Sequence, residues 1–287
     1  MVVRELSRPT ERSRSQAATY QARPLVRRVA GWLVPWIVPA LIVAGWWGIV
    51  TAGLIASYQL PPPQTIVATA REMAERGELV THLVATLQRL AWGYLLGSAP
   101  GIVLGALTGL APWLRRALDP TVQGLRAIPS LAWVPLFLLW FGIGETSRIL
   151  LIALGVFLPV YFNVLAAVGG IDWRLIEFAR IYRLGRWRTF RHVIIPGALP
   201  GVLTGLRAGL SLGWMFVVAA ELIAASSGLG FLLVEGQSTM RPDRVLVALL
   251  SFGLLGKLSD TLLARLERAL LVWRETIASV QDGEGTP

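Results

Sequence analysis

"EFARIYRLGRWRTFRHVIIPGALP", residues 177–200, holds five arginines, one histidine and one glutamate, and two prolines stand near its end. Its flanks have the opposite character. "RILLIALGVFLPVYFNVLAAV" (148–168) and "GVLTGLRAGLSLGWMFVVAAELI" (201–223) are apolar almost throughout. Each matches the roughly 20 apolar residues that one helix needs to cross a bilayer core. A basic amphipathic segment held between two such stretches belongs at a membrane face, so the fold follows from locating the remaining spans.

Six stretches qualify, near residues 32–54, 89–111, 120–141, 147–168, 201–223 and 244–264. Pro159 falls inside the fourth, where neighbouring helices re-satisfy the freed carbonyl. The third contains Pro129 and Pro135 and is expected to be kinked or broken early. Composition agrees. Of 287 residues 54% are hydrophobic and 15% charged, against about 25% charged in a soluble domain. Twelve tryptophans and 29 glycines suit a chain whose Trp sits at interfaces and whose Gly sits at helix contacts. The expected fold class is all-α, a polytopic membrane protein with six transmembrane helices.

The net charge of +10 would by itself suggest nucleic acid, but its placement does not. Arginines cluster in 1–30, at Arg115 and Arg116, between Arg174 and Arg191, and at Arg265, Arg268 and Arg274. With six spans these four regions share one side, which the positive-inside rule makes cytoplasmic. Residues 1–30 and 275–287 are thus expected to be cytoplasmic tails of a membrane domain spanning 31–274. On the outer face, "LPPPQTIVATAREMAERGE" predicts a Pro61–Pro63 corner and a helix from about Thr65. Its stripe of Ile66, Ala70, Met73 and Ala74 would lie on the membrane surface. A Gly turn and a short helix are expected between spans five and six.

Span two carries Gly97, Gly101, Gly105 and Gly109, and span five carries Gly201, Gly205, Gly209 and Gly213. Glycines at this spacing let helix backbones approach closely, either within one bundle or at a contact between subunits. Catalytic signatures do not appear. Cysteine is absent, His82 and His192 stand near opposite faces, and neither GxSxG nor HExxH occurs. Lys257 follows Gly256, but Ser251 and Leu258 occupy the positions where a phosphate-binding loop needs Gly and Ser or Thr. No cofactor, metal or enzymatic activity is expected of this chain.

In the opening segment Gly185 separates two short helices, and Pro196 and Pro200 are expected to end the second. Such a segment fits a helix lying on the anionic inner leaflet, and equally a protein-docking surface. The residues also resemble the EAA loop of ABC-importer permeases, the membrane subunits of binding-protein-dependent transport systems. That motif reads Glu-Ala-Ala, then a glycine six residues after the Glu, then Leu-Pro with the proline nineteen residues after it. Glu177, Ala179 and Pro196 fit. Phe178 replaces the first Ala, Ile195 the Leu, and Arg183 stands where the glycine is expected, so that Gly185 would supply the turn two residues late. "LPPPQTIVATA", "IPSLAWVPLFLLWFGIGETSRI", "PGVLTGLRAGLSLGWMFVVAAELI" and "GLLGKLSDTLLARLERALL" look like the nitrate/sulfonate/taurine branch. The resemblance covers roughly residues 58–274.

The resemblance implies a type I importer fold, a homodimeric permease of the bacterial inner membrane, two cytoplasmic ATPase subunits carrying ATP and Mg, and an external solute-binding protein. The loop, about residues 169–200, would seat in an ATPase cleft through Glu177, Phe178, Ala179, Ile181, Tyr182, Gly185 and Pro196. The substrate would be a small oxyanion such as nitrate, a sulfonate, taurine or bicarbonate. A heterocyclic vitamin precursor, or an ATP-independent transporter or channel, are the alternatives. Pore-lining candidates are Ser130, Trp133, Trp140, Asn163, Ser211 and Trp214, whose O–H and N–H groups suit an oxyanion. The same tryptophans also fit lipid-interface anchors, and the others fit groups that satisfy helix carbonyls. Arg207 and Asp260 could pair across spans five and six, or Arg207 could snorkel. Glu221, at the outer end of span five, would meet the binding protein or water.

Overall fold

The computed structural model describes residue 34, residues 36–223 and residues 225–271; the expected tails at 1–30 and 275–287 lie outside the described residues. Contacts divide the chain into two units, 1–66 and 67–287. In chain order the helices are α1 (Trp36–Thr51), α2 (Pro63–Glu75), α3 (Glu78–Leu110), α4 (Pro112–Ala127), α5 (Val134–Phe141), α6 (Glu145–Gly169) and α7 (Trp173–Ile181). The continuous α8 (Arg186–Leu222), α9 (Leu229–Ser238) and α10 (Pro242–Leu270) complete the series. Among the described residues there is no β-strand.

Local chemistry sets the boundaries. Gly77 and Gly142, both at φ 72°, take the left-handed conformation that glycine adopts without a Cβ clash. Pro112 and Pro242 open α4 and α10, where the missing N–H costs nothing. The expected break in the third stretch falls at Ile128–Pro129, and the helical pieces on either side are bent by 86°. Pro159 leaves α6 unbroken, and Asn163 Nδ2 donates to its carbonyl at 2.8 Å.

Two expectations are corrected here. Pro196 and Pro200 do not end a helix: α8 runs through both. The turn just before them, Phe190–Ile194, is widened so that Ile195 N–H reaches the Phe190 carbonyl. That wider turn eases the clash between a proline ring and the carbonyl four residues back. Likewise α2 does not simply float on lipid. Met73 is 2% exposed, and the Thr69 hydroxyl donates to Asp243 of α10 at 2.8 Å.

Among the described residues four helices are long and apolar enough to span a membrane, α3, α6, α8 and α10, and the bent α4–α5 pair, taken as one span, makes five. The described part of α1 is apolar but too short to pass the same test, so six spans remain an expectation. The packing bears on direction. Gly97, Gly101, Gly105 and Gly109 of α3 face Val156, Val160, Val164 and Val168 of α6 in the same order, so the two helices run parallel. The chain from 111 to 144 must therefore return across the bundle, which is the task of α4 and α5. From the other side, Gly201, Gly205, Gly209 and Gly213 of α8 face Ala167, Asn163, Val160 and Val156 in reverse order, so α8 is antiparallel to α6.

Val156 and Val160 thus lie between both ladders and are wholly buried. A Cβ added at Gly105 would stand 2.7 Å from the Tyr161 carbonyl oxygen and 3.0 Å from Val164 Cβ. Because the obstacle is backbone, it cannot swing aside. Gly105→Leu is expected to lower the stability of the purified protein by about 1–3 kcal/mol, the usual cost of overpacking. Gly253→Ala, with nothing within 4 Å, serves as the control and should be neutral or slightly stabilising. Thermal unfolding in detergent measures both, and equal melting temperatures for Gly105→Leu and wild type would contradict the packing argument.

Candidate functional site

One end of the three-helix core leads into the basic segment. Asp172 accepts the Arg174 N–H at 2.9 Å and so caps α7, satisfying a first-turn donor. Ala179 is 3% exposed and fastens α7 to the protein. Ile176 and Leu184 are half-buried, while other apolar residues face outward: Phe178 is 59% exposed, Ile181 69%, Tyr182 78% and Trp187 70%. Glu177 is exposed beside them. The segment therefore presents a large apolar patch, studded with Arg180, Arg183, Arg186 and Arg188, instead of burying it.

The end of α7 corrects the expected turn. Gly185 is extended at φ −62°, ψ 158°, while Arg183 takes the left-handed conformation at φ 52°. Leu184 N–H reaches the Ala179 carbonyl and Arg183 N–H the Arg180 carbonyl, both at 2.9 Å. This pair of bonds is the helix-ending arrangement that ordinarily places glycine where Arg183 stands. The turn is not displaced; an arginine performs the glycine's conformational role.

At the opposite end of α6 lies a cluster that the sequence reading missed. Arg89, 3% exposed, donates to Glu145 through Nε and Nη2 at 2.7 and 2.8 Å. Its Nη1 donates to Glu221 at 2.7 Å and to the Ser227 carbonyl at 2.6 Å. Glu221 is 1% exposed and also accepts from the Thr86 hydroxyl at 2.9 Å and the Gly230 N–H at 2.8 Å. The Gly228 N–H donates to His82 Nδ1 at 3.0 Å, and the Leu229 N–H to Thr86 Oγ1 at 2.8 Å. Glu221 is thus neither solvated nor free for a partner. The signal was present as an arginine inside an apolar stretch with two glutamates at helix ends, but a hydropathy window cannot show that they converge.

The pore candidates do not gather into one site. Trp133 packs against the core, and Trp140 is 59% exposed. Asn163 bonds to Pro159, the Ser211 hydroxyl donates to the Arg207 carbonyl at 3.2 Å, and Trp214 Nε1 donates to Ser259 at 2.9 Å. Ser130 lies in the turn Ser130–Trp133, and its side chain is outside the described residues. Arg207 reaches Asp260 at 3.0 Å and also Glu267 of α10 at 3.1 Å.

Comparison with known proteins supplies the context. Residues 101–272 match the family described as the binding-protein-dependent transport system inner membrane component. The chain is 40% identical over 250 residues to a putative aliphatic sulfonates transport permease protein of Bacillus subtilis, covering 87% of this chain and 91% of that one. It is 39% identical over 239 residues to the taurine transport system permease protein of Escherichia coli, covering 82% and 87%. Among solved structures, a chain of the inward-facing MetNI methionine ABC transporter matches with a TM-score of 0.58 at 23% identity, over 67% of this chain and 95% of that one. At that identity the likeness is one of fold.

Arg89→Met would leave Glu221 buried without its cation, a change that costs about 3–5 kcal/mol in other buried pairs. The expected result is a clear drop in melting temperature, partly recovered in Arg89→Met/Glu221→Gln, which neutralises the orphaned carboxylate. Arg183→Gly should move the other way. A left-handed arginine costs about 1–2 kcal/mol, and glycine's extra unfolded freedom returns about 0.5–1 of it. A net gain of about 0.5–1 kcal/mol is therefore expected in thermal unfolding. Arg183→Ala keeps its Cβ, so an equal gain there would count against the conformational explanation.

Proposed function

The chain belongs to the family of binding-protein-dependent transport system inner membrane components and is a permease of an ABC importer. From that premise we propose that it pairs with a second copy of itself, takes solute from an external binding protein, and is driven by two ATP-binding subunits that carry ATP and Mg. Hydrolysis then belongs to those subunits. The membrane chain supplies the path and the joint, with both of its ends on the ATPase side. We take residues 1–30 and 275–287 as cytoplasmic tails of a membrane domain at 31–274, with the coupling loop at about residues 169–200.

The observation that carries this reading is the exposed apolar face of α7 and of the chain that leads from it into α8. Phe178, Ile181, Tyr182 and Trp187 expose roughly half or more of their surface while Ala179 is buried. An apolar patch rimmed with charge on an ordered helix marks a docking surface. Glu177, Phe178, Ala179, Ile181 and Tyr182 form the knob that enters the ATPase cleft, with the Arg183 turn behind it. Gly185 and Pro196 shape the return into α8. Because α6 ends just before α7 and α8 begins just after it, displacement of the knob acts on both helices that the glycine ladders join. Both named relatives concern sulfonates, taurine being an aminosulfonate, and a small sulfonated or similar oxyanion is the substrate class this permease carries.

Truncating one anchor of such an interface costs about 2 kcal/mol, near 30-fold in affinity. Tyr182→Ala should weaken retention of the ATPase by about that factor, and Glu177→Arg by more, since it reverses charge inside the patch. Both should reach the membrane in normal amount because no span is altered. Copurification of the ATPase and binding-protein-stimulated hydrolysis are the measurements. If α7 were a lipid-surface helix instead, Glu177→Arg would strengthen its hold on anionic lipid and leave hydrolysis untouched, an outcome that would sink the docking assignment.

A further inference from the structure

One pair of cations in the bundle is used by neither the joint nor the buried cluster. Arg115, Asp119, Gln123 and Arg126 follow one another along one face of α4, and with Phe162, Leu165 and Ala166 of α6 they line an open cavity of about 540 Å³. The Arg126 guanidinium lies over the Phe162 ring, 4.8 Å from its centroid. Gln123 Nε2 donates to Asp119 at 2.9 Å, so the one carboxylate is held by an amide and not by a cation. No ion pair to Arg115 or Arg126 occurs among the described residues. Two cations against one anion leave the lining with a net charge of +1.

The bilayer makes this arrangement informative. Because α3 and α6 are parallel, α4 carries much of the return crossing between them. Arg115 stands beside Gly169 at the end of α6, and from there to Arg126 the polar face extends about 16 Å along the helix, inward from that end of the bundle. Such a face cannot be left to lipid; it must meet protein or line a water-filled path. An arginine seated on an aromatic ring keeps its edge N–H groups available, and a guanidinium edge matches two oxygens of an oxyanion.

We propose that this cavity is an anion subsite on the transport path, in which Arg126, positioned by Phe162, binds the sulfonate group of the solute while Arg115 adds attraction nearer the start of α4. The assignment rests on the permease reading and deepens it. The ligand chemistry is that of an acidic oxygen group, which an anionic lipid headgroup shares; the solute is the occupant argued here because the lane follows α4 in the direction of crossing.

The test uses the complete transporter, permease with its ATPase and binding protein, in phosphatidylcholine vesicles, with labelled taurine as the probe. Uptake and ATP hydrolysis are both recorded. Wild type should accumulate taurine, and failure of wild type to do so while hydrolysis is stimulated would count against the substrate class, separately from the subsite. Arg126→Gln is expected to lower taurine moved per ATP hydrolysed by about ten-fold, near 1.4 kcal/mol, with stimulated hydrolysis retained. Arg126→Lys should recover part of it. Should Arg126→Gln fail to reach the membrane, Arg126→Lys and Phe162→Leu carry the test, each expected to reduce the ratio by a smaller factor. An unchanged ratio in the variants overturns the proposal, as does a parallel fall of uptake and hydrolysis, which would mark a structural role. A defect that appears only when phosphatidylglycerol is included would assign the site to lipid and overturn it too.

Discussion

Everything in the second unit depends on how closely three helices can approach along α6. Inside hydrocarbon no water is released when helices meet, so the hydrophobic effect that assembles soluble bundles is missing and contact quality decides. Here a stripe of valines on α6 stands between glycines of α3 on one side and glycines of α8 on the other. Valine has little rotamer freedom to lose in a helix, and glycine offers the partner backbone at van der Waals distance. Both ladders extend beyond the four residues noticed in the sequence, since Gly93 faces Ile152 and Gly197 faces Ile171.

That seam gives the two ends of the bundle their meaning. At the start of α6, Arg89, Glu145 and Glu221 tie together α3, α6 and α8 and hold the turn that leads into α9. At its far end the chain leaves α6 and enters α7, whose apolar residues stay exposed. One terminus is closed by buried charge and the other leaves apolar side chains exposed. On the proposed coupling role, force applied to α7 would reach helices already locked to one another, so movement would be carried along the seam and not dissipated in side-chain repacking.

Much of this was legible in the sequence, for identifiable reasons. The cores of the spans, the break at Pro129, the helix after Pro63 and the short helix before α10 all follow from hydropathy and from proline. The basic segment and its family likeness came from residues at fixed spacing. Failures came where tertiary partners hide a local signal. The helix that holds span two begins at Glu78, well before the apolar stretch near 89, because His82, Thr86 and Arg89 look polar until their buried partners are seen. The prolines at 196 and 200 look like a stop because the widened turn that admits them has no sequence signature of its own. Arg183 departs from the motif's glycine, yet the helix-ending bonds around it hold it in the left-handed conformation that the glycine would take.

Charges in the apolar part of this chain separate into three kinds, and magnitudes distinguish them. Arg89 and Glu221 are sealed in together, with side chains 4% and 0% exposed, so removing one leaves the other buried without its counter-charge, a penalty of about 3–5 kcal/mol. Arg207 and Asp260 expose 39% and 40% of their side chains, and so accessible a pair contributes about 0–1 kcal/mol; its use is to keep α8 and α10 in register, alongside the Trp214–Ser259 bond. Arg126 belongs to neither kind. It has an aromatic ring beneath it and a cavity beside it, which leaves its charge uncompensated within the lining. A membrane protein that neutralises Arg89 with two carboxylates has the means to neutralise Arg126 as well. That this charge, like that of Arg115, is left open toward a cavity is what the proposed anion subsite rests on.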